Sequence, residues 1–405
     1  MSVTMSVVLV VAFSFAAGEG LRWLAHRRGV ILSGVEYAVI GVLLGPLGAG
    51  MLTEQVLTVM EPAVWLMIGL VGFTMGLRLQ DLLTASASRA TAGVLLGAAS
   101  LVTVGAAGAG VLMYAQDVVD PSQLWLPILV FGAAGSVGGT RLHRSAVEAL
   151  GARGPIIDTL RLASVTSSTL AVVVAGLMED WQRATDSPAL YESLHLPHQL
   201  WLAMGVLVGV ACGVLFAWFQ RGEANDERTF LATIGVVIFA SGIAEALGSS
   251  PLLVGLVTGV TVSVLSSQAG QLRTQLQLLD RPVSIALLLF AGALFVPLEG
   301  VYWLLPVVYA ASRALSLFVW PRLLVQPLVR VPHAGRLGAG MRSQGVIAVA
   351  IGVSLDLAYP EHAVVTDAVL VGVLLFEVGA SQSLRRLLGD AGELRRVSVE
   401  AEVAA

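Results

Sequence analysis

Phe131-Gly-Ala-Ala-Gly-Ser-Val-Gly-Gly-Thr140 and Leu337-Gly-Ala-Gly-Met-Arg-Ser-Gln-Gly345 are the two stretches whose reading decides the fold. The first ends one long apolar run and the second opens another, each with clustered glycines and with polar Ser, Arg or Gln. This is poor material for an unbroken helix facing lipid, because glycine loses the most freedom on ordering and exposed backbone finds no water in hydrocarbon. Taken alone, each segment reads equally well as a locally unwound helix or as small residues that let neighbouring helices pack closely. The pair favours broken helices. The two lie seven apolar runs apart, an odd spacing that inverts one relative to the other, and paired interruptions mark sites built from inverted repeats crossing near the bilayer midplane.

The rest of the chain supplies the matching frame. Of its 405 residues 56% are hydrophobic and only 12% charged, about half the charge of an ordinary globular domain. Apolar runs long enough for about thirteen helical crossings follow one another with short loops between them. The chain therefore reads as an all-α polytopic membrane protein. Beyond a first crossing at Val3–Ala17, we place crossings at Val30–Gly50, Pro62–Leu77, Ala90–Tyr114, Leu124–Thr140, Ile156–Met178, Leu200–Phe219, Thr229–Leu247, Pro251–Ser267, Val283–Pro297, Tyr302–Trp320, Leu337–Leu357 and Ala363–Leu375. Residues 1–388 form the transmembrane domain and 389–405 a short cytoplasmic tail. The lipid bilayer is its solvent.

The loops alternate in charge. Basic residues follow the odd-numbered crossings (Arg22 to Arg28, Arg78 and Arg89, Arg141 to Arg153, Arg273 and Arg281, Arg322 to Arg336), and mostly acidic ones follow the even-numbered crossings; the loop Gln220–Arg228 is mixed. Because basic loops stay in the cytoplasm, this predicts a multi-pass protein of the inner (plasma) membrane, N-terminus outside and C-terminus inside. Val3–Ala17 has its basic group after it rather than before, the reverse of a cleaved signal peptide.

Enzyme, metal and nucleic-acid chemistries find little support. The single cysteine, Cys212, lies inside an apolar run and reads as a packing residue. All six histidines fall in predicted loops or interfaces; His195 and His198 have Pro197 between them and no cysteine nearby, so no metal site is predicted. Gly135-Ser-Val-Gly-Gly139 has the letters of a nucleophile turn without the strand, histidine and acid that would make it one. No phosphate loop is present, and no cofactor or nucleic-acid partner is expected.

Several stretches carry a resemblance. Val35-Glu-Tyr-Ala-Val-Ile-Gly-Val-Leu-Leu-Gly-Pro-Leu-Gly48 resembles the second crossing of the monovalent cation:proton antiporter superfamily, particularly its Kef-like branch. Gly69-Leu-Val-Gly-Phe-Thr-Met-Gly-Leu-Arg-Leu79 is similar to that branch's third crossing, Gly151-Ala-Arg-Gly-Pro155 to the segment leading into its sixth, and Gly248-Ser-Ser-Pro-Leu-Leu-Val-Gly-Leu-Val-Thr-Gly259 to its ninth. Glu377-Val-Gly379 and Ala391-Gly-Glu393 match a closing pattern of some members. The resemblance implies a sodium/proton antiporter fold with inverted repeats and two broken crossing helices, a mobile core against a dimerising panel in a homodimer, and elevator-type alternating access. It implies a monovalent cation and a proton as substrates.

The sequence departs from this family where its ion site belongs. The acidic pair of the sixth crossing falls on Ser167 and Ser168, and the Thr-Asp type motif of the fifth on Gly138 and Gly139. Hydroxyls coordinate sodium but do not titrate near neutral pH. Candidate site residues are therefore Thr166, Ser167 and Ser168, Ser136 and Gly138 at the first break, Arg342 and Gln344 at the second, and Arg313. Arg313 matches the family's basic residue of the eleventh crossing and needs a partner at membrane depth, where an unpaired charge costs at least about 2.5 kcal/mol. It either stabilises the carbonyl ends of the broken helices or binds an anion. Glu36 and Glu377 are placed at the cytoplasmic interface, and Asp158 with Arg161 as an ion pair along one helix face. Two alternatives to cation:proton exchange follow: a carrier of the same fold for an anionic, zwitterionic or neutral solute using Arg313 and Arg342, and a non-transporting membrane sensor or scaffold.

Overall fold

The computed structural model describes residues 34, 36–83, 85–117, 124–186, 198–220, 226–266 and 268–394; the predicted first crossing and the end of the tail lie outside them. The described residues are helical, with no strand among them. In chain order we label α1 Glu36–Leu44, α2 Glu54–Arg78, α3 Ala87–Ala115, α4 Trp125–Ser136, α5 Thr140–Leu150, α6 Pro155–Asp186, α7 His198–Phe219, α8 Asp226–Leu247, α9 Pro251–Leu265, α10 Ala269–Leu294, α11 Leu304–Trp320, α12 Leu337–Gly340, α13 Gly345–Ala358, α14 Ala363–Glu377 and α15 Ala380–Asp390. Among the described residues six helices are long and apolar enough to cross a membrane, or eight with two bent pairs each taken as one span.

Several helices run past the predicted crossings into polar turns. Helix α2 starts at Glu54 rather than Pro62 and keeps Pro62 inside it, and α10 starts at Ala269 rather than Val283. Arg273 and Arg281, read from sequence as loop, are thus helical. Likewise Arg141 to Leu150 is helix α5, not loop. Hydropathy registers only the apolar part of a helix, and the polar turns that continue beyond it go unseen. The predicted ion pair of Asp158 with Arg161 is replaced by a tertiary one: Arg161 lies 4.0 Å from Asp81, which also accepts two bonds from Arg273 at 2.7 and 3.0 Å.

Glycine decides how closely the helices approach. A Cβ on Gly72 or Gly76 of α2 would sit 2.2 or 2.3 Å from the carbonyl oxygens of Leu252 and Leu256 on α9, and one on Gly259 would sit 2.2 Å from that of Phe73. The two family-like glycine stretches are therefore one packing seam, of the kind small residues make in membranes. In Gly151-Ala-Arg-Gly-Pro155, Gly151 closes α5 in the left-handed region (φ 59°) and Pro155 opens α6, where its missing N–H costs nothing.

Both predicted breaks are present. Helix α4 stops at Ser136 and α5 restarts at Thr140; α12 stops at Gly340 and α13 restarts at Gly345, with a 63° bend across that second gap. A second bend, of 45°, separates α14 from α15 at Gly379 (φ +79°). The chain after Leu388 is not a free tail as far as it is described. Asp390 completes α15, and Glu393 folds back to cap α6, its two carboxylate oxygens accepting the N–H groups of Ile156 (2.7 Å) and Ile157 (2.9 Å).

Candidate functional site

The two interruptions cross and bond to each other. Val137 and Gly139 are extended rather than helical, and the Gly139 N–H donates to the Ser343 carbonyl at 2.6 Å. The crossing is tight. A Cβ on Gly139 would lie 2.3 Å from Ser343 Oγ, and one on Gly138 would lie 2.7 Å from Ser164 Oγ and 2.9 Å from the Met341 methyl. The carboxylate that the family resemblance places here is missing from the sequence, and its volume is already filled by Ser164, Met341 and Ser343.

Breaking two helices leaves carbonyl ends on one side and N–H ends on the other, each with a partial charge. Arg313, 1% exposed on α11, meets the carbonyl ends. Its guanidinium donates to the carbonyls of Gly135, Val137 (2.9 Å), Met341 (3.0 Å) and Arg342 (3.4 Å), joining both broken segments through one group, and stacks over the Phe376 ring at 5.2 Å. Of the two roles the sequence left open for Arg313, binding these carbonyls is the one its contacts fill.

Glu377 meets the opposite end. It was expected at an interface; it is buried at the close of α14, and its Oε1 accepts from the Ser343 hydroxyl (2.8 Å) and from the N–H groups of Gln344 (3.1 Å) and Gly345 (2.9 Å). It thereby caps the first turn of α13, a favourable place for a carboxylate. Gln344, fully buried, holds the crossing from its other side: Nε2 donates to the Ala134 carbonyl (2.8 Å) and the Tyr309 hydroxyl (2.5 Å).

The hydroxyls read from the sequence divide into two groups. Ser168 Oγ accepts from the Gly138 N–H (3.2 Å) and donates to its carbonyl (3.1 Å), clamping the first break. Thr166, Ser167 and Ser136 bond back to carbonyls of their own helices: Leu162 and Ala163, Ser164, and Ala133. Arg342 turns away from the crossing to Ser383 (3.1 Å) on α15, so it does not join Arg313 in one positive pocket.

Sequence reasoning missed His143, which is buried on α5 rather than in a loop. Its Nε2 lies 2.9 Å from the Gly340 carbonyl, which requires the proton on that nitrogen, and leaves Nδ1 to accept from Ser164 Oγ at 3.4 Å. Its place three residues after the first break was the available signal. Also unforeseen is a cavity of about 60 Å³ reaching the crossing at Gly139, Gln344 and Gly345, with Arg78, Arg141, Arg144 and Asp280 on its walls. Asp280 pairs with Arg78 (2.8 Å) and Arg144 (3.3 Å). The potential metal ligands His, Cys, Asp and Glu form no group of three among the described residues.

An all-helical chain with two interrupted helices crossing at their breaks, one arginine on the carbonyl ends and one carboxylate on an N–H end, defines an architectural class. Among solved structures the chain is similar to the sodium proton antiporter MjNhaP1 from Methanocaldococcus jannaschii, with a TM-score of 0.68 over 96% of this chain and 100% of that chain. The two share 13% sequence identity, so the likeness is one of fold. No family model and no curated protein sequence matches the chain.

Proposed function

We propose that this chain is a secondary membrane transporter that exchanges a monovalent cation for protons, in the manner the Kef-like resemblance implies: a homodimer in the inner membrane, C-terminus in the cytoplasm, with the core moving elevator-fashion against a dimerising panel. The observation that carries the reading is the bonded crossing of the two breaks, Gly139 N–H to Ser343 carbonyl, with its ends neutralised by Arg313 and Glu377. Interrupted helices at this depth are tolerated where they are enclosed by protein or line a cavity, and in carriers they serve as ion sites. The shared fold with a sodium proton antiporter supports the same reading.

The test is proton flux in proteoliposomes, read with a pH-sensitive dye after pulses of sodium, potassium or lithium. Flux with at least one of them supports exchange; folded protein that gives none refutes it. One observation favours a second reading: the cavity wall carries Arg78, Arg141 and Arg144 against the carboxylate of Asp280, a balance suited to an anionic solute. Flux evoked by chloride, phosphate or carboxylate pulses and not by the cations would select it.

A further inference from the structure

The family-like exchange chemistry needs a carboxylate where proton and cation compete, and neither Ser167, Ser168, Gly138 nor Gly139 supplies one. Among the described residues one acid, from α14, hydrogen-bonds to a break. Three donors converge on Glu377 Oε1, while Oε2 is buried with no hydrogen-bond partner. Gln344 Oε1 is a second buried acceptor without a partner; its orientation is fixed, because Nε2 is committed to the Ala134 carbonyl. Glu377 is 8% exposed and Gln344 0%. Buried acceptors without donors are costly and are expected to be met by something. A proton or a dehydrated cation meets a carboxylate oxygen; a cation also meets an amide oxygen.

We infer that Glu377, with Gln344 beside it, is the group at which the proton and the monovalent cation compete, taking the place of the carboxylates absent from the sixth and fifth crossings. The inference rests on the exchange reading above. Binding of the cation to the carboxylate displaces its proton to water, and reprotonation releases the cation, so one positive charge leaves for each that arrives. Gly345, whose N–H holds Oε1, lines the cavity that reaches the break. The charged groups in electrostatic reach of Glu377 include Arg313 on α11, Arg141 on α5 and Glu36 on α1. Glu36 Oε1 is likewise buried without a partner, while its Oε2 accepts the Gly34 N–H at 3.0 Å. Glu36 is therefore the natural rival.

The two are separated by measuring protons released when sodium, potassium or lithium chloride, against choline chloride, is added to the purified full chain in weakly buffered detergent, alongside flux in proteoliposomes. Glu377→Gln keeps a carbonyl oxygen for Ser343, Gln344 and Gly345 and so preserves the cap; Glu36→Gln is its comparison. The expected result is release from the wild type, at least a tenfold loss of release and flux in E377Q at unchanged elution volume, and retained release in E36Q. Ser343→Ala, which keeps the acid but removes one donor from it, shifts the pH of half-maximal flux upward by a measurable fraction of a unit; a purely structural cap leaves that midpoint in place. Wild-type flux with an equal response in E377Q, or loss in E36Q alone, overturns the inference and leaves exchange standing. A wild type with neither release nor flux overturns both.

Discussion

Replacing Arg313 with alanine removes a side chain that donates to carbonyls of both broken segments. Four carbonyls lose a donor: Gly135 and Val137 on the first break, Met341 and Arg342 on the second. Interhelical hydrogen bonds in membrane proteins average about 0.6 kcal/mol and reach about 1.7, because the unfolded chain in a membrane also finds partners. Bonds from a charged donor run higher, about 1.5–3 kcal/mol. Taking three good bonds over the membrane range and the long one at its low end gives a loss of about 2–6 kcal/mol, with the charged donor placing it in the upper part. Arg313→Lys keeps the charge but loses the planar fork that spans two segments, so it falls between the wild type and the alanine variant. The assay is denaturant unfolding of detergent-solubilised protein, followed by tryptophan fluorescence, with wild type, R313K and R313A in parallel. A midpoint for R313A indistinguishable from wild type refutes the claim that this side chain holds the crossing together.

Gly139→Ala puts a methyl 2.3 Å from Ser343 Oγ and 2.9 Å from the Ser343 carbonyl carbon, and at least one of these neighbours belongs to backbone that cannot rotate away; we expect about 1–3 kcal/mol of destabilisation and loss of flux, checked by unfolding and by transport. Ser167→Ala removes only a bond back to its own helix and leaves both stability and flux near wild type, whereas Ser168→Ala frees Gly138 and costs about 1 kcal/mol in the same unfolding assay. Glu393→Ala uncaps α6 and lowers stability by about 1–2 kcal/mol. The last variant also exposes the Ile156 and Ile157 amides, so their hydrogen exchange quickens; unchanged protection would contradict the cap.

The architecture was largely legible because membrane helices announce themselves by length and because clustered glycines mark where a helix cannot continue. The stretches Phe131 to Thr140 and Leu337 to Gly345 contain both breaks, at 137–139 and 341–344. The need of Arg313 for a partner at membrane depth was legible, but whether that partner was the carbonyl ends or an anion was left open. Contacts set by three-dimensional bends were not legible. Glu377 stands at the end of an apolar run, where a linear reading puts it at the interface, and the 45° turn at Gly379 has no signal in sequence that fixes its direction. Arg342 is beside Ser343 and Gln344 in the chain, yet in the non-helical gap between α12 and α13 its side chain leaves theirs and bonds Ser383 instead. Asp158 and Arg161 share a helix face, but Asp81 from another segment offers Arg161 a partner that spacing within one helix cannot reveal.

The central claim is that the crossed breaks form a working exchange site. Its most direct test is uptake of labelled sodium, and of labelled rubidium standing in for potassium, into proteoliposomes carrying an outward proton gradient, before and after the gradient is collapsed with a protonophore. The account predicts accumulation of at least one ion above its equilibrium level, abolished when the gradient is removed. Uptake that never exceeds that of empty liposomes, from protein shown to be folded and inserted, would contradict it.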